Sequence, residues 1–70
     1  MNNYYTIFVN GEALSYFNHL SLYDLLLYLN FDINRIIVEY NQAIISNNKF
    51  KSINMVDKDR IEVITIVGGG

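Results

Sequence analysis

The hydrophobic pattern of this chain changes period several times, and each change marks an element. Tyr4-Tyr5-Thr6-Ile7-Phe8-Val9 is an aromatic and β-branched run that suits a pleated, half-buried strand. Asn10-Gly11 follows; both residues adopt positive φ at low cost, so the pair predicts a two-residue hairpin, with Ala13-Leu14-Ser15-Tyr16-Phe17 as the returning strand. Beyond the polar Asn18-His19, Leu22, Leu25, Leu26 and Leu29 fall at i, i+3, i+4 and i+7, one face of an α-helix running from about Leu22 to Leu29 or Asn30. Ser21 is placed to cap its first turn, Asp24 lies where a carboxylate favours the helix N-terminus, and Tyr23 and Tyr28 fall on the margins of the stripe. Arg35 to Tyr40 reads as a third strand, Asn41-Gln42 breaks it, and Ala43-Ile44-Ile45 is a brief fourth. Asn47 to Lys51 is polar except for Phe50, which predicts an anchor tying a loop or single helical turn to the core. Asp57-Lys58-Asp59 reads as a turn, and Arg60 to Ile66 as a strong last strand. Alternation puts Ile61 and Val63 on one face of that strand and Glu62, Ile64 and Ile66 on the other. Val67 then leads into Gly68-Gly69-Gly70.

The order β-β-α-β-β-β offers one helix to cover one face of a mixed, four- to five-stranded sheet, an α+β two-layer domain. A hairpin followed by a helix that crosses to a mixed sheet suggests the β-grasp arrangement, in which the first strand lies beside the last, parallel to it, at the centre. The reading is one β-grasp domain over residues 1–66 and a flexible reactive tail over 67–70. The leucine stripe is expected to pack on Ile7 or Val9, Ile36 or Val38, and Ile61 with Val63. Because the helix covers one side only, Ile64 and Ile66, with Phe8 or Ile7 from the first strand, are expected to form an apolar patch on the open face.

Composition narrows the possibilities. A chain of 70 residues buries only about 60% of the surface its unfolded form exposes, so a 51% hydrophobic content, including ten Ile, has to supply the core. With no Cys, disulfides, thiolate nucleophiles and zinc fingers are excluded together. Five basic against seven acidic residues, unclustered, give a net charge of −2 and no basic stripe for nucleic acid. The first basic residue is Arg35, so neither the positive start of a secretory signal nor an Arg-rich transit peptide is present. The longest wholly apolar stretch, Leu25 to Leu29, is far below the roughly 20 residues that span a bilayer. A soluble intracellular protein is expected, without nucleic-acid or membrane partners. Ten scattered Asn beside the ten Ile look like an A+T-biased coding sequence, which fits either the cytoplasm of a bacterium or the stroma of a plastid that encodes the protein.

An active site is hard to assemble from these residues. His19 stands alone in a loop and reads as a solvated surface residue; Ser15, Ser21, Ser46 and Ser52 have no base to pair with. Asp57 and Asp59 flank Lys58 in what reads as an exposed, solvated hairpin end, and they lack the ligand count of a calcium loop. No metal site is expected. The C-terminus differs. Three of the four glycines close the chain directly behind an apolar strand. Such a triplet at a terminus is ordinarily a frayed end, but without Cβ atoms it is also thin enough to thread a narrow channel into a partner's active site. Its α-carboxylate, with a pKa of about 3.5, is ionised at pH 7 and a poor electrophile, so it needs activation, for example as an acyl-adenylate.

These residues together resemble the ThiS sulfur carriers within the ThiS/MoaD ubiquitin-like family. The resemblance spans essentially the whole chain: Ile7-Phe8-Val9-Asn10-Gly11-Glu12, Leu22-Tyr23-Asp24-Leu25-Leu26, Val38-Glu39-Tyr40-Asn41-Gln42-Ala43-Ile44-Ile45, Asp57-Lys58-Asp59-Arg60-Ile61-Glu62-Val63-Ile64 and Val67-Gly68-Gly69-Gly70. The last two blocks together are the specific ones. Lys58 stands where the family usually has Gly between two Asp, and the Pro often found after the fourth strand is missing.

The resemblance implies a carrier and not an enzyme. A ThiF-like adenylating enzyme, using ATP and magnesium of its own, would activate Gly70. A cysteine desulfurase-type donor would supply sulfur to leave a thiocarboxylate there, and thiazole synthase (ThiG) would take it for the thiazole moiety of thiamine. Gly68 and Gly69 would thread the partner's channel, Ile64, Ile66 and Phe8 would form the docking face, and no cofactor would be bound by the chain itself. The rivals are a MoaD-like small subunit of molybdopterin synthase, whose chains are usually longer and carry Pro before Gly-Gly, a ubiquitin-like protein modifier, and a plain interaction module.

Overall fold

A computed structural model describes residues 4–67. Two strands, β1 (Tyr5–Val9) and β2 (Glu12–Tyr16), precede the helix α1 (Leu22–Tyr28); β3 (Ile36–Tyr40), β4 (Ala43–Ile45) and β5 (Arg60–Thr65) follow it. Short 3-10 turns occupy Ile33–Arg35 and Asn47–Ser52. The sheet order is β2-β1-β5-β3-β4, with β1 and β5 parallel and the other neighbours antiparallel. This is the β-grasp arrangement, with the first and last strands side by side in the middle.

Local chemistry accounts for the elements. Asn10 (φ 51°) and Gly11 (φ 83°) take the two left-handed positions of the hairpin, closing the β1–β2 ladder at Val9 opposite Glu12. At the start of α1 the Ser21 hydroxyl accepts from the Asp24 amide at 3.0 Å, and the Asp24 carboxylate accepts in return from the Ser21 amide at 3.4 Å. The helix stops after Tyr28, one residue short of the last leucine of its stripe, Leu29, which is its C-cap. Asn30 turns left-handed (φ 65°), and the Phe31 and Asn30 amides close back on the Leu26 and Leu27 carbonyls, each at 3.0 Å.

The core lies between α1 and the inner sheet face: Ile7 and Val9, Leu22, Leu25 and Leu26, Ile36 and Val38, Ile61 and Val63, closed by Phe50 and Met55. Leu29 is half-buried at its margin, as are Tyr23, Leu14 and Tyr16. Phe50, 1% exposed, anchors the second 3-10 turn as its isolated apolar position predicts. Met55 belongs to the same lid, because the Met55 amide bonds to the Leu20 carbonyl and the Leu22 amide to the Ile53 carbonyl, both at 2.8 Å.

Two expectations need correction. The turn before β5 is not solvated throughout: Asp57 and Lys58 are exposed, but Asp59 is buried, because its carboxylate is surrounded by donors from β3 and its own turn. Ile7 is fully buried beneath α1 and takes no part in the open face. Gly68, Gly69 and Gly70, on which the expectation of a flexible tail rests, lie outside the described residues.

Candidate functional site: the end of the central strand and the open sheet face

Because β5 runs parallel to β1, its C-terminal end emerges at the same end of the sheet as the β1–β2 hairpin. The hairpin holds it there. The Asn10 amide donates to the Ile61 carbonyl at 2.9 Å, and the Val63 amide donates to the Asn10 side-chain oxygen at 2.7 Å. On the other flank β3 pairs with β5 as far as Ile36 opposite Thr65, and the Ile66 amide closes on the Arg35 carbonyl at 2.6 Å. Val67 follows with 91% of its surface exposed. The residues leading to the glycines therefore leave a strand fixed on both sides.

At the opposite end of β5, Asp59 organises the turn. It accepts from the Tyr40 hydroxyl at 2.8 Å, the Asn41 side-chain amide at 3.1 Å and the Val56 backbone amide at 2.8 Å. Burial, and then the hydrogen bond to this carboxylate, push the Tyr40 hydroxyl up to about 12. Burial, followed by the charge of Asp59, also raises Tyr16, whose hydroxyl is enclosed with no hydrogen-bond partner among the described residues. The turn is also stitched to β1, through the Thr6 amide to Asp57 at 2.7 Å and the Lys58 amide to the Thr6 carbonyl at 2.6 Å. These contacts hold Lys58 in the left-handed region at φ 73°. They hold the root of β5 and place no acid–base pair in a cleft, so their work is structural.

The sheet face away from α1 carries the remaining candidates. Ile64 is 53% exposed and lies opposite Ile37 on β3 (40% exposed); Ile66, just past the strand, is also exposed. Phe8 shares the face but not the cluster. Its partner in the parallel register is Arg60, four positions before Ile64, or about 13 Å at the rise of a strand. The Arg60 guanidinium covers the Phe8 ring at 4.4 Å from its centroid. Cross-strand register instead brings in Ile37 and, on β4, Ile44, neither of which the reading of the last strand alone could supply. The alternation of Ile36-Ile37-Val38 was the available signal for Ile37. Glu39 and Glu62 stand directly opposite each other on this face, and Ile44 flanks Glu39 on its other side.

Comparison with known proteins places this geometry. The model of the ThiS family matches residues 7–70, through the three glycines. Proteins named ycf40 and described as uncharacterized are similar along nearly their whole length. That of Porphyra purpurea is 41% identical over 70 residues, covering 100% of this chain and 99% of its own. That of Pyropia yezoensis is 43% identical over 65 residues, covering 93% and 92%. The crystal structure of the thiamine biosynthesis protein ThiS from Geobacter metallireducens superposes with a TM-score of 0.79 at 25% identity, over 93% of this chain and 99% of that one. The solution structure of a thiamine biosynthesis protein from the same organism gives 0.76 at 25% identity, over 93% and 87%. The chain belongs to the ThiS family.

Proposed function

We propose that this protein is a sulfur carrier for the thiazole moiety of thiamine, holding sulfur as a thiocarboxylate on Gly70. The observation that carries the reading is the family match running through residue 70, directly behind a central strand that leaves the sheet between two fixed neighbours. A ThiF-like enzyme, with its own ATP and magnesium, converts the Gly70 carboxylate to an acyl-adenylate with loss of pyrophosphate. The persulfide of a desulfurase-type donor attacks the acyl carbon and displaces AMP to give an acyl disulfide. A thiol reductant then cleaves its S–S bond, leaving the thiocarboxylate on Gly70, and thiazole synthase receives the sulfur. The chain contributes a docking face, the thin Gly68-Gly69 lead and one reactive carboxyl, and is not itself the catalyst. Asp and Glu side chains, tethered close to the folded body, do not reach so far. Of the two locations that the A+T-biased composition fits, we favour the plastid stroma, on the likeness to the ycf40 proteins.

The test is reaction with ATP, a ThiF-like enzyme and a sulfur donor, followed by intact-mass spectrometry. One oxygen replaced by sulfur, located on Gly70 by fragmentation and lost when Gly70 is deleted or followed by Ala, is the expected result. Sulfur elsewhere, or undiminished loading of the truncated chain, overturns the reading. Adducts to lysines of other proteins in place of thiocarboxylate would identify a protein modifier.

A further inference from the structure

The open sheet face contains an arrangement that does not help the fold. Glu39 and Glu62 are direct cross-strand partners on β3 and β5, and both side chains point away from the core because their neighbours Val38 and Val63 point into it. Like charges placed opposite each other destabilise a sheet pair. Nothing among the described residues neutralises them: the one ion pair there joins Arg35 to Asp32. Arg60, two residues from Glu62 on the same face, has its guanidinium over the Phe8 ring instead. On the other sides of the two carboxylates the neighbours are apolar, with Ile44 beside Glu39 and the Ile37–Ile64 pair in the next row; Ile44 is 72% exposed. A local conflict of this kind, set in an exposed apolar surround, marks a surface selected for something other than stability.

We propose that this face docks on a protein surface that presents a basic side chain, Arg or Lys, within an apolar patch. The cation seats between Glu39 and Glu62, and the partner's apolar residues cover Ile37, Ile44 and Ile64. Charge complementarity selects that occupant. A second copy of this chain meeting the same face would set four glutamates together. A purely apolar partner would bury two carboxylates with no counter-charge. Resting on the carrier reading above, the partner is the adenylating protein. The glutamates make its recognition specific: a surface lacking the cation is rejected by the unpaired carboxylates, so the isoleucines alone do not decide the partner.

The experiment measures binding of the full chain to a purified ThiF-like adenylating enzyme, together with thermal unfolding of the free chain. Glu39→Gln with Glu62→Gln together should weaken binding about tenfold and flatten its dependence on salt, while leaving the melting temperature equal or higher. Glu62→Lys, which pairs with Glu39 within the chain, should raise the melting temperature and weaken binding further. Weaker binding from a more stable protein separates recognition from damage to the fold. Unchanged affinity and salt dependence in the double Gln variant, with adenylate still forming on it, overturns the docking inference and leaves the carrier reading intact. Failure of the unaltered chain to be adenylated or bound overturns both. Concentration-dependent self-association lost in Glu62→Lys would assign the face to a second copy and also overturn the inference.

Discussion

The Tyr40 hydroxyl donates to the Asp59 carboxylate across 2.8 Å, joining the end of β3 to the turn that launches β5. Asp59 is 4% exposed and has two further donors, so its charge is balanced by hydrogen bonds and not by a cation. Removing the carboxylate leaves three donors unpaired. Asp59→Ala should cost about 3 kcal/mol, a large part of the 5–15 kcal/mol typical of a domain, and Tyr40→Phe about half as much. Urea unfolding measures both. A loss below about 0.5 kcal/mol for Asp59→Ala would mean that water replaces the network without penalty.

The same pair sets a dependence on alkali. Tyr40 ionises at about 12 in the folded chain, raised from 10.0 by burial first and by its bond to Asp59 second. Between those values the folded form retains a proton that the unfolded form has lost. The contribution is therefore fully present below about pH 10 and disappears as pH rises towards about 12. Tyr16, raised chiefly by burial, acts in the same direction. Urea midpoints should fall over that window and fall less in Tyr40→Phe. Equal slopes in the two proteins would refute the linkage.

Lys58 sits at φ 73°, a region that costs a side-chain-bearing residue roughly 1–2 kcal/mol and glycine little. Replacing it with Gly returns some of that advantage as lost chain entropy in folding, roughly 0.5–1 kcal/mol. Lys58→Gly should therefore raise stability by about 0.5 kcal/mol and shift the melting temperature upward by a few degrees. A lower melting temperature would show that the Lys58 side chain contributes something its exposure does not suggest.

Leu26 is fully buried between α1 and the inner sheet face. Leu26→Ala should cost about 2–5 kcal/mol as a cavity. Calorimetry on this variant, beside Leu27→Ala on the exposed side of the same helix, gives the contrast. Similar losses at both positions would mean that the packing face is wrong.

Ile64 is half-exposed, so Ile64→Asp should leave the fold and melting temperature nearly unchanged and, on the proposed carrier role, weaken capture by a ThiF-like adenylating enzyme at least tenfold. Undiminished binding by the folded variant would remove Ile64 from the docking face.

What could be read from the chain was what local spacing encodes. The Asn10-Gly11 hairpin, the Ser21 cap, the stripe of Leu22, Leu25 and Leu26 and the anchor Phe50 depend on near neighbours, and the structure has them where the pattern implies. The burial of Asp59 is not legible locally, because two of the donors that justify it, Tyr40 and Asn41, come from 19 and 18 residues away. The separation of Phe8 from Ile64 is hidden for a similar reason: alternation assigns a side chain to a face, but only the β1–β5 register, with Phe8 at Arg60, locates it along that face. The Glu39–Glu62 opposition needed the β3–β5 register in the same way.

The central pairing of β1 with β5 also governs when the chain can fold. Without β5, the last of the described strands, β1 and β3 have no common neighbour and the sheet falls into two hairpins. Such pieces are marginal in water, so during synthesis folding waits until β5 has been made, as expected where strands distant in sequence must meet. A prematurely released product lacks both the glycines and the strand that completes the docking face. On the proposed carrier role, it could neither be charged with sulfur nor compete for an activating enzyme. Topology thus couples the assembly of the open sheet face to the synthesis of β5.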